Sequence, residues 1–380
     1  MGKHRTKKIT HLALYLPSLR GGGAERVMVN LANGFAQLNI KTDLVLAHAE
    51  GPYLEDVSTL VNIIDLNSSK VITSLPGLVR YLKNSRPEAI LSTMSHANII
   101  AILARKLARM TKKTTLIIRE ANTLSLNSKH TDKIFDKLMP LFTRLFYPSA
   151  DAIVANSIGS AKNLSKYAGI PYDNIRIIAN PLNIQRIREQ GNKKPVHPWF
   201  HNENNKIIVS VGRLEEQKGF DILIKAFAVV KQKNPAARLM VIGEGDKRTE
   251  LENLVYSLGL SNTVSLPGFV VNPYSFMNHA AMFVLSSRWE GLPNALLEAL
   301  ALGVPVVATD CPSGPAEILE NGQYGKLVPV DDYKILAKAI LETLDNPIGR
   351  EILQASTNNF SLDKILDRYL SLLFSVKAHE

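Results

Sequence analysis

The sequence predicts an α/β protein of two doubly wound domains, each built on a parallel sheet with helices on both faces. Three observations predict it. The chain has 380 residues, and single hydrophobic cores stop growing at roughly 250–300 residues. Short runs rich in Val, Ile and Leu alternate with helical patterns along most of the chain. The alternation occurs twice, on either side of a polar stretch at 181–205 that Gly191, Pro195 and Pro198 punctuate and no sustained period crosses.

In the first half the strand-like runs are 9–16, 42–47, 89–93, 115–118 and 152–155, with helical patterns at 24–37 and 99–110. In the second half the runs are 206–211, 238–242, 263–266, 281–285 and 304–308, with helical patterns at 220–233, 247–258 and 295–302. A last amphipathic pattern covers 362–376. The expected organisation is therefore a first domain over 1–182, a connector over 183–205, a second domain over 206–358, and a helix over 359–380 that crosses back to the first domain. In open parallel sheets ligands bind beyond the carboxyl ends of the strands, so the two sheets are expected to face a central cleft.

Composition excludes several classes. With 46% apolar and 21% charged residues the chain is neither disordered nor collagen-like. Cys311 is the only cysteine, which rules out an intrachain disulfide and a cysteine-based zinc site. No stretch approaches the ~20 apolar residues of a membrane helix. The N-terminal run is broken by His11, ends at Pro17 and has no small-residue cleavage site, so it reads as a first strand and not as a signal peptide. The expected location is the cytoplasm.

Charge is unevenly divided. Residues 1–190 hold 26 Lys and Arg against 13 Asp and Glu, a net of +13, whereas residues 191–380 hold 19 against 21, a net of −2. A basic half points to an anionic partner, either nucleic acid or a membrane surface, or else to a solvated face with none.

Three segments carry candidate chemistry. Gly21-Gly22-Gly23-Ala24-Glu25-Arg26 lies between the first strand and first helix. Glycines there let backbone N–H groups approach a phosphate at a helix N-terminus, although a plain tight turn would look the same. The segment matches neither the dinucleotide fingerprint nor the P-loop. Gly212-Arg213-Leu214-Glu215-Glu216-Gln217-Lys218-Gly219 opens the second domain. Its Arg213 and Lys218 read either as a diphosphate clamp or as two surface cations. In the third, 289–298, Pro293 suits a first helical turn, which would bring the amides of Gly291, Leu292, Pro293 and Asn294 to a helix start. Glu290 precedes that helix. Glu298 sits within its apolar run, where a carboxylate is costly to bury unless it accepts hydrogen bonds; an exposed helix position is the other reading.

Taken in order, Gly212-Arg213-Leu214 with Lys218-Gly219, then Gly243-Glu244-Gly245, then Glu290-x7-Glu298 with Gly303-x-Pro305-Val306-Val307, resemble the retaining nucleotide-sugar glycosyltransferases of the GT-B fold. More narrowly they are similar to family 4, whose signature is two glutamates separated by seven residues. The opening Gly22-Gly23-Ala24-Glu25-Arg26 resembles bacterial enzymes that build lipid-linked glycans and surface polysaccharides.

The resemblance implies roles. Arg213 and Lys218 would neutralise the donor diphosphate, approached from the facing domain by Gly22 and Gly23. Glu298 would bind the ribose and Glu290 the hydroxyls of the transferred sugar, with the amides of 291–294 holding sugar and phosphates. Gly212 begins this loop; Gly243, Gly245 and the segment with Phe269 and Val270 would line the base pocket. His96, after the strand 89–93, would lie beside the sugar. Arg119, Glu120 and Asn122 follow another first-domain strand, a place suited to acceptor recognition.

The chain contains no Asp-x-Asp, so a metal-independent transfer without cofactor is expected, with leaving-group charge met by Arg213, Lys218 and helix-end amides. Same-face attack is the mechanism the resemblance implies; a carboxylate nucleophile, as in retaining glycosidases, is the alternative. The expected partners are a nucleotide sugar, most commonly UDP-linked, carrying a hexose or N-acetylhexosamine, and a glycan acceptor linked to polyprenyl diphosphate. No nucleic-acid motif is present. The basic half would then meet an anionic membrane through Lys3, Arg5, Lys7 and Lys8 and an amphipathic helix at 97–110 ending in Arg105, Lys106, Arg109, Lys112 and Lys113. For that helix, ordinary packing inside the domain is an equal reading. A GT-B nucleotide-sugar epimerase, a transferase with a soluble acceptor, and a basic nucleic-acid-binding protein are the alternatives to this function.

Overall fold

The computed structural model describes residues 9–121 and 134–378. The chain divides into two units, Met1–Pro181 with Phe360–Glu380, and Leu182–Asn359. Lys3, Arg5, Lys7, Lys8 and Asn122 lie outside the described residues.

Among the described residues the first unit has seven strands: β1 (His11–Leu16), β2 (Lys41–Leu46), β3 (Val61–Asp65), β4 (Ala89–Thr93), β5 (Thr115–Glu120), β6 (Ala152–Ala155) and β7 (Ile175–Ile177). They form one sheet in the order β3-β2-β1-β4-β5-β6-β7, and every pair is parallel. The apolar runs follow from this arrangement, because a central parallel strand is buried on both faces. In β1, Leu12, Leu14 and Leu16 enter one apolar layer with helix Gly23–Gln37. Ala13 and Tyr15 enter the other, with helices Leu75–Ser85 and Ser95–Leu107.

The C-terminal helix Leu362–Ala378 adds Ile365, Leu366, Tyr369, Leu372 and Leu373 to the layer of helix Gly23–Gln37. The two helices approach closely at Gly34, where a Cβ atom would come within 2.6 Å of Leu366 Cδ1.

The second unit repeats the plan with β8 (Lys206–Val211), β9 (Ala237–Ile242), β10 (Val264–Gly268), β11 (Met282–Leu285), β12 (Val306–Thr309) and β13 (Lys326–Val328), in the order β10-β9-β8-β11-β12-β13. Its strands are also all parallel. Helix Phe220–Lys233 buries Leu223, Phe227 and Val230 on one face, together with Leu336 and Ile340 of helix Tyr333–Asp345.

The structure changes three readings. Residues 183–205, expected as a connector, belong to the second unit from Leu182 onward. Helix Ile184–Gly191 buries Ile187, its Arg188 Nε donates to Ala301 O at 3.1 Å, and Asn278 Nδ2 donates to Gly191 O at 3.1 Å. Strands β3, β7 and β13, all at sheet edges, were hidden in the sequence. Each keeps a single fully buried residue, Val61, Ile175 and Val328 respectively, so no apolar run marks them.

The third correction concerns 97–110. Helix Ser95–Leu107 turns Ile99, Ile100 and Ile102 into the core, so its apolar side is not open to lipid. Arg105 is only 1% exposed and is no part of a basic surface. It pairs with Asp151 and donates to Ser149 O at 2.6 Å and Thr114 O at 3.1 Å. Among the described residues no helix is long and apolar enough to cross a membrane.

The Arg105 contacts tie helix Ser95–Leu107 to the segments before β5 and β6. Removing one partner of a buried, hydrogen-bonded ion pair typically costs about 3–5 kcal/mol. Arg105→Ala should therefore lower the first unit's stability by about 3 kcal/mol in urea unfolding, and a loss below about 0.5 kcal/mol would contradict the role given to it here.

Candidate active site

In each sheet the strand order reverses once, between β1 and β4 in the first unit and between β8 and β11 in the second. Loops leaving such a pair of strands diverge to opposite faces and open a crevice at their carboxyl ends. The sequence-predicted residues concentrate at these two points.

In the second unit the loop after β8 is held against the start of β9's following loop. Gly212 N donates to Ile242 O at 3.0 Å, Leu214 N to Glu244 O at 2.8 Å, and Lys247 N to Leu214 O at 2.9 Å. Gly243 has φ +145°, and a Cβ there would collide with Gly212 O. Glycine at 243 is thus a requirement of backbone approach, independent of any ligand.

The loop after β11 is stitched to the same β8 loop. Arg288 N donates to Gln217 O at 2.7 Å, Gln217 Nε2 to Trp289 O at 2.8 Å, and Ser286 Oγ to Lys218 O at 2.8 Å. The Arg288 side chain reaches Asp221 at 2.9 Å and Asp331 at 2.7 Å, and the two carboxylates hold its guanidinium firmly charged. These bonds bring two predicted residues together: Lys218 Nζ lies 2.6 Å from Glu290 Oε1. The same oxygen accepts from Ser287 Oγ at 2.6 Å. Thr309 Oγ1 in turn donates to Ser287 O at 2.5 Å. Glu290 is 6% exposed, and a carboxylate so buried needs these charged and neutral donors.

Beyond Glu290, Ser313 Oγ donates to Gly291 O at 2.8 Å and so fixes the approach to helix Asn294–Leu302. Pro293 is the residue immediately before that helix, one position earlier than the first turn the sequence reading gave it. Leu292 and Pro293 are buried, and Asn294 is half-buried. Glu298, one face further along, is half-buried and accepts from Tyr274 OH at 3.1 Å. Cys311 is buried near Glu290; burial first, and then the Glu290 charge, push its thiol up to about 12, which makes it a packing residue and not a nucleophile.

Arg213 differs from Lys218. Its side chain is 64% exposed and paired with Glu215 at 2.9 Å. After β10, Gly268 O accepts from Gly243 N at 2.9 Å, and Phe269 follows with 48% of its surface exposed. Val270 is half-buried. An exposed aromatic ring beside the β9 loop offers a face for stacking. Gly245 lies in this β9 loop, packed against Leu214 O.

In the first unit, Gly22 is the residue before helix Gly23–Gln37, and Tyr53 OH braces the loop by donating to Gly21 O at 3.1 Å. Arg26 is turned aside: it pairs with Asp56 and stacks over the Tyr53 ring at 3.6 Å. Across the strand-order reversal, His96 is exposed as the second residue of helix Ser95–Leu107. Met94 just before it has φ +74°. A non-glycine residue held there stores about 1–3 kcal/mol, a cost found mostly at functional sites.

Arg119 and Glu120, placed by the sequence at the end of a first-unit strand, are both buried. Arg119 is 0% exposed; its guanidinium pairs with Asn180 Oδ1 and donates to Thr93 Oγ1 at 3.2 Å. Glu120 is 2% exposed, and Oε2 accepts from Tyr147 OH at 2.7 Å and Ser95 Oγ at 3.0 Å. Burial and the Glu120 charge hold the Tyr147 hydroxyl well above its ordinary value. Adjacent residues on a strand point to opposite faces, so the two side chains enter different interior networks.

Sequence reasoning missed Ser286, Ser287, Gln217 and Tyr274. Ser287, three residues before Glu290 at the end of a strand, was the one with a visible signal; Tyr274 becomes a partner of Glu298 only through the fold.

Comparison with known proteins identifies the family and the fold. Residues 21–186 match the family described as Glycosyltransferase Family 4, and residues 193–360 the family described as Glycosyl transferases group 1. A glycosyltransferase of Methanocaldococcus jannaschii is 31% identical over 66% of this chain and 62% of its own length. The Campylobacter jejuni N-acetylgalactosamine-N,N'-diacetylbacillosaminyl-diphospho-undecaprenol 4-alpha-N-acetylgalactosaminyltransferase is 30% identical over 93% of this chain and 96% of its own. Among solved structures, Anabaena HepE in complex with UDP and glucose superposes with a TM-score of 0.79 at 21% identity, covering 96% of this chain and all of that one. With both halves matched and a near full-length relative at this identity, the chain belongs to glycosyltransferase family 4 and has the GT-B fold.

Proposed function

We propose that this glycosyltransferase moves a hexose or N-acetylhexosamine, with retention, from a UDP-linked donor to a glycan carried on polyprenyl diphosphate. The observation that carries the reading is the Lys218–Glu290 pair at 2.6 Å at the β8/β11 reversal. It sets a cation for phosphate and a carboxylate for sugar hydroxyls side by side. The UDP and glucose named for HepE and the diphospho-undecaprenol acceptor named for the Campylobacter enzyme support the donor and acceptor classes.

In this reading an ammonium carries three donors, and Glu290 takes one of them. The other Lys218 donors face the donor diphosphate, where charge grows as the glycosidic bond breaks. Arg213, exposed on the same loop, gives up Glu215 to complete the clamp with its two-pronged guanidinium. Gly212, Gly291, Leu292, Pro293 and Asn294 supply the surrounding backbone. Glu298 takes the ribose, and Phe269, Val270, Gly243 and Gly245 border the base. In the first unit, Gly22, Gly23 and His96 are the proposed contributors at the β1/β4 reversal.

Glu290 acts by accepting hydrogen bonds from the hydroxyls of the sugar. Its Oε1 already serves Lys218 and Ser287, and a carboxylate so engaged is a weak nucleophile. Same-face attack, with the leaving phosphate receiving the acceptor proton, therefore fits this site better than a covalent intermediate. No metal or cofactor enters the proposal; the cations are the protein's own. The reaction is placed at the cytoplasmic face of a membrane, where a polyprenyl-linked acceptor is held.

Two outcomes test this. Arg213→Ala and Lys218→Ala should each lower turnover by more than about tenfold in folded protein, as expected for lost transition-state charge stabilisation. Near-normal rates in both would remove their assignment. Turnover with UDP-sugar and acceptor should also persist in EDTA; complete loss restored by magnesium would contradict the metal-independent mechanism.

A further inference from the structure

Helix Ile134–Phe146 of the first unit carries more apolar surface than its core contacts use. Met139 and Thr143 form its buried side. Leu138, Leu141 and Leu145 fall on a separate stripe about 60° wide, given 3.6 residues per turn, and are 43%, 60% and 68% exposed. Single exposed leucines are ordinary, whereas three in one stripe form a patch that a soluble surface has no reason to keep. Lys137 and Arg144, both exposed, flank the stripe on the side away from Met139.

The positive charge continues past the end of the helix. Lys106 Nζ, on the neighbouring helix, donates to Ser149 Oγ at 2.9 Å. The exposed charged residues of 95–119 and 137–150 are all cations: Lys106, Arg109, Lys112, Lys113, Lys137 and Arg144. An apolar stripe bordered by cations is the arrangement of a helix that lies in a membrane interface.

We propose that this face docks on an anionic lipid surface, with Leu138, Leu141 and Leu145 at the boundary of headgroups and acyl chains and Lys137, Arg144 and Lys106 against the lipid phosphates. The proposal rests on the membrane-linked acceptor of the preceding section and names the surface that would bring the enzyme to it. Charge selects lipid over a second copy of the chain. A two-fold contact through this face would set its cations against one another, whereas an acidic leaflet neutralises them.

The test is co-sedimentation of the full chain with vesicles of phosphatidylglycerol and phosphatidylcholine in equal parts. Wild type should bind these and not vesicles of phosphatidylcholine alone. The variant L138S/L141S/L145S should lose more than about tenfold in vesicle affinity while keeping wild-type turnover on a water-soluble, diphosphate-linked acceptor. Should that variant fail to fold, K137Q/R144Q, which changes only exposed positions, should weaken binding and flatten its dependence on salt. Vesicle binding unchanged in both variants, no binding by wild type, or a wild-type dimer that the leucine variant dissociates would overturn the proposal. Loss of turnover on the soluble acceptor by wild type itself would count against the proposed reaction and leave the vesicle result standing.

Discussion

The Lys218–Glu290 contact is the constraint on which the second unit's working edge depends. Glu290 is almost fully buried, and an isolated carboxylate in that position would cost several kcal/mol. Lys218 and Ser287 remove the cost only if the loops after β8 and β11 are held in fixed register. Gln217, Ser286 and Arg288 supply that register through three short bonds between the loops. Once it is set, Ser313 positions Gly291, and the helix carrying Glu298 starts where Tyr274 can reach it. The site is thus organised by polar contacts between loops, and the apolar sheet beneath serves as a rigid base.

The first unit reaches a similar end by different means. Its β1/β4 reversal is bordered by a glycine loop braced through Tyr53 and by a helix that begins after the strained Met94. Part of its electrostatics is internal. Arg105 and Arg119 are both buried, so two cations counted in the basic half never reach solvent. Other cations do reach the surface, among them Lys106, Arg109, Lys112, Lys113, Lys137 and Arg144.

Much of the architecture was legible in the sequence because central parallel strands are apolar on both faces. The run Ala89–Thr93 reads correctly at both ends for that reason, as does Lys206–Val211. Edge strands such as β3, with Asn62 and Ile63 exposed, do not announce themselves. The two glutamates seven residues apart were legible as a motif, and the fold gives Glu290 and Glu298 different polar partners. Arg119 and Glu120 read as ligand-facing because they are charged residues at a strand end, whereas the fold buries both side chains. Nothing local reveals that Asn180, some sixty residues on, and Tyr147 wait to bury them. The helix at 97–110 misled similarly: its amphipathic pattern is real, but the apolar side is spent on the core, and an exposed stripe appears on helix Ile134–Phe146 instead.

As proposed, the β8/β11 edge of the second unit binds a nucleotide sugar. The most direct measurement is a thermal-shift screen of the folded protein against UDP, GDP, ADP and their common sugar conjugates, because a ligand that binds only the native state raises the melting temperature by mass action without any acceptor. A rise is expected with UDP and a UDP-sugar, and Lys218→Ala should diminish it. No shift with any nucleotide would contradict the proposal.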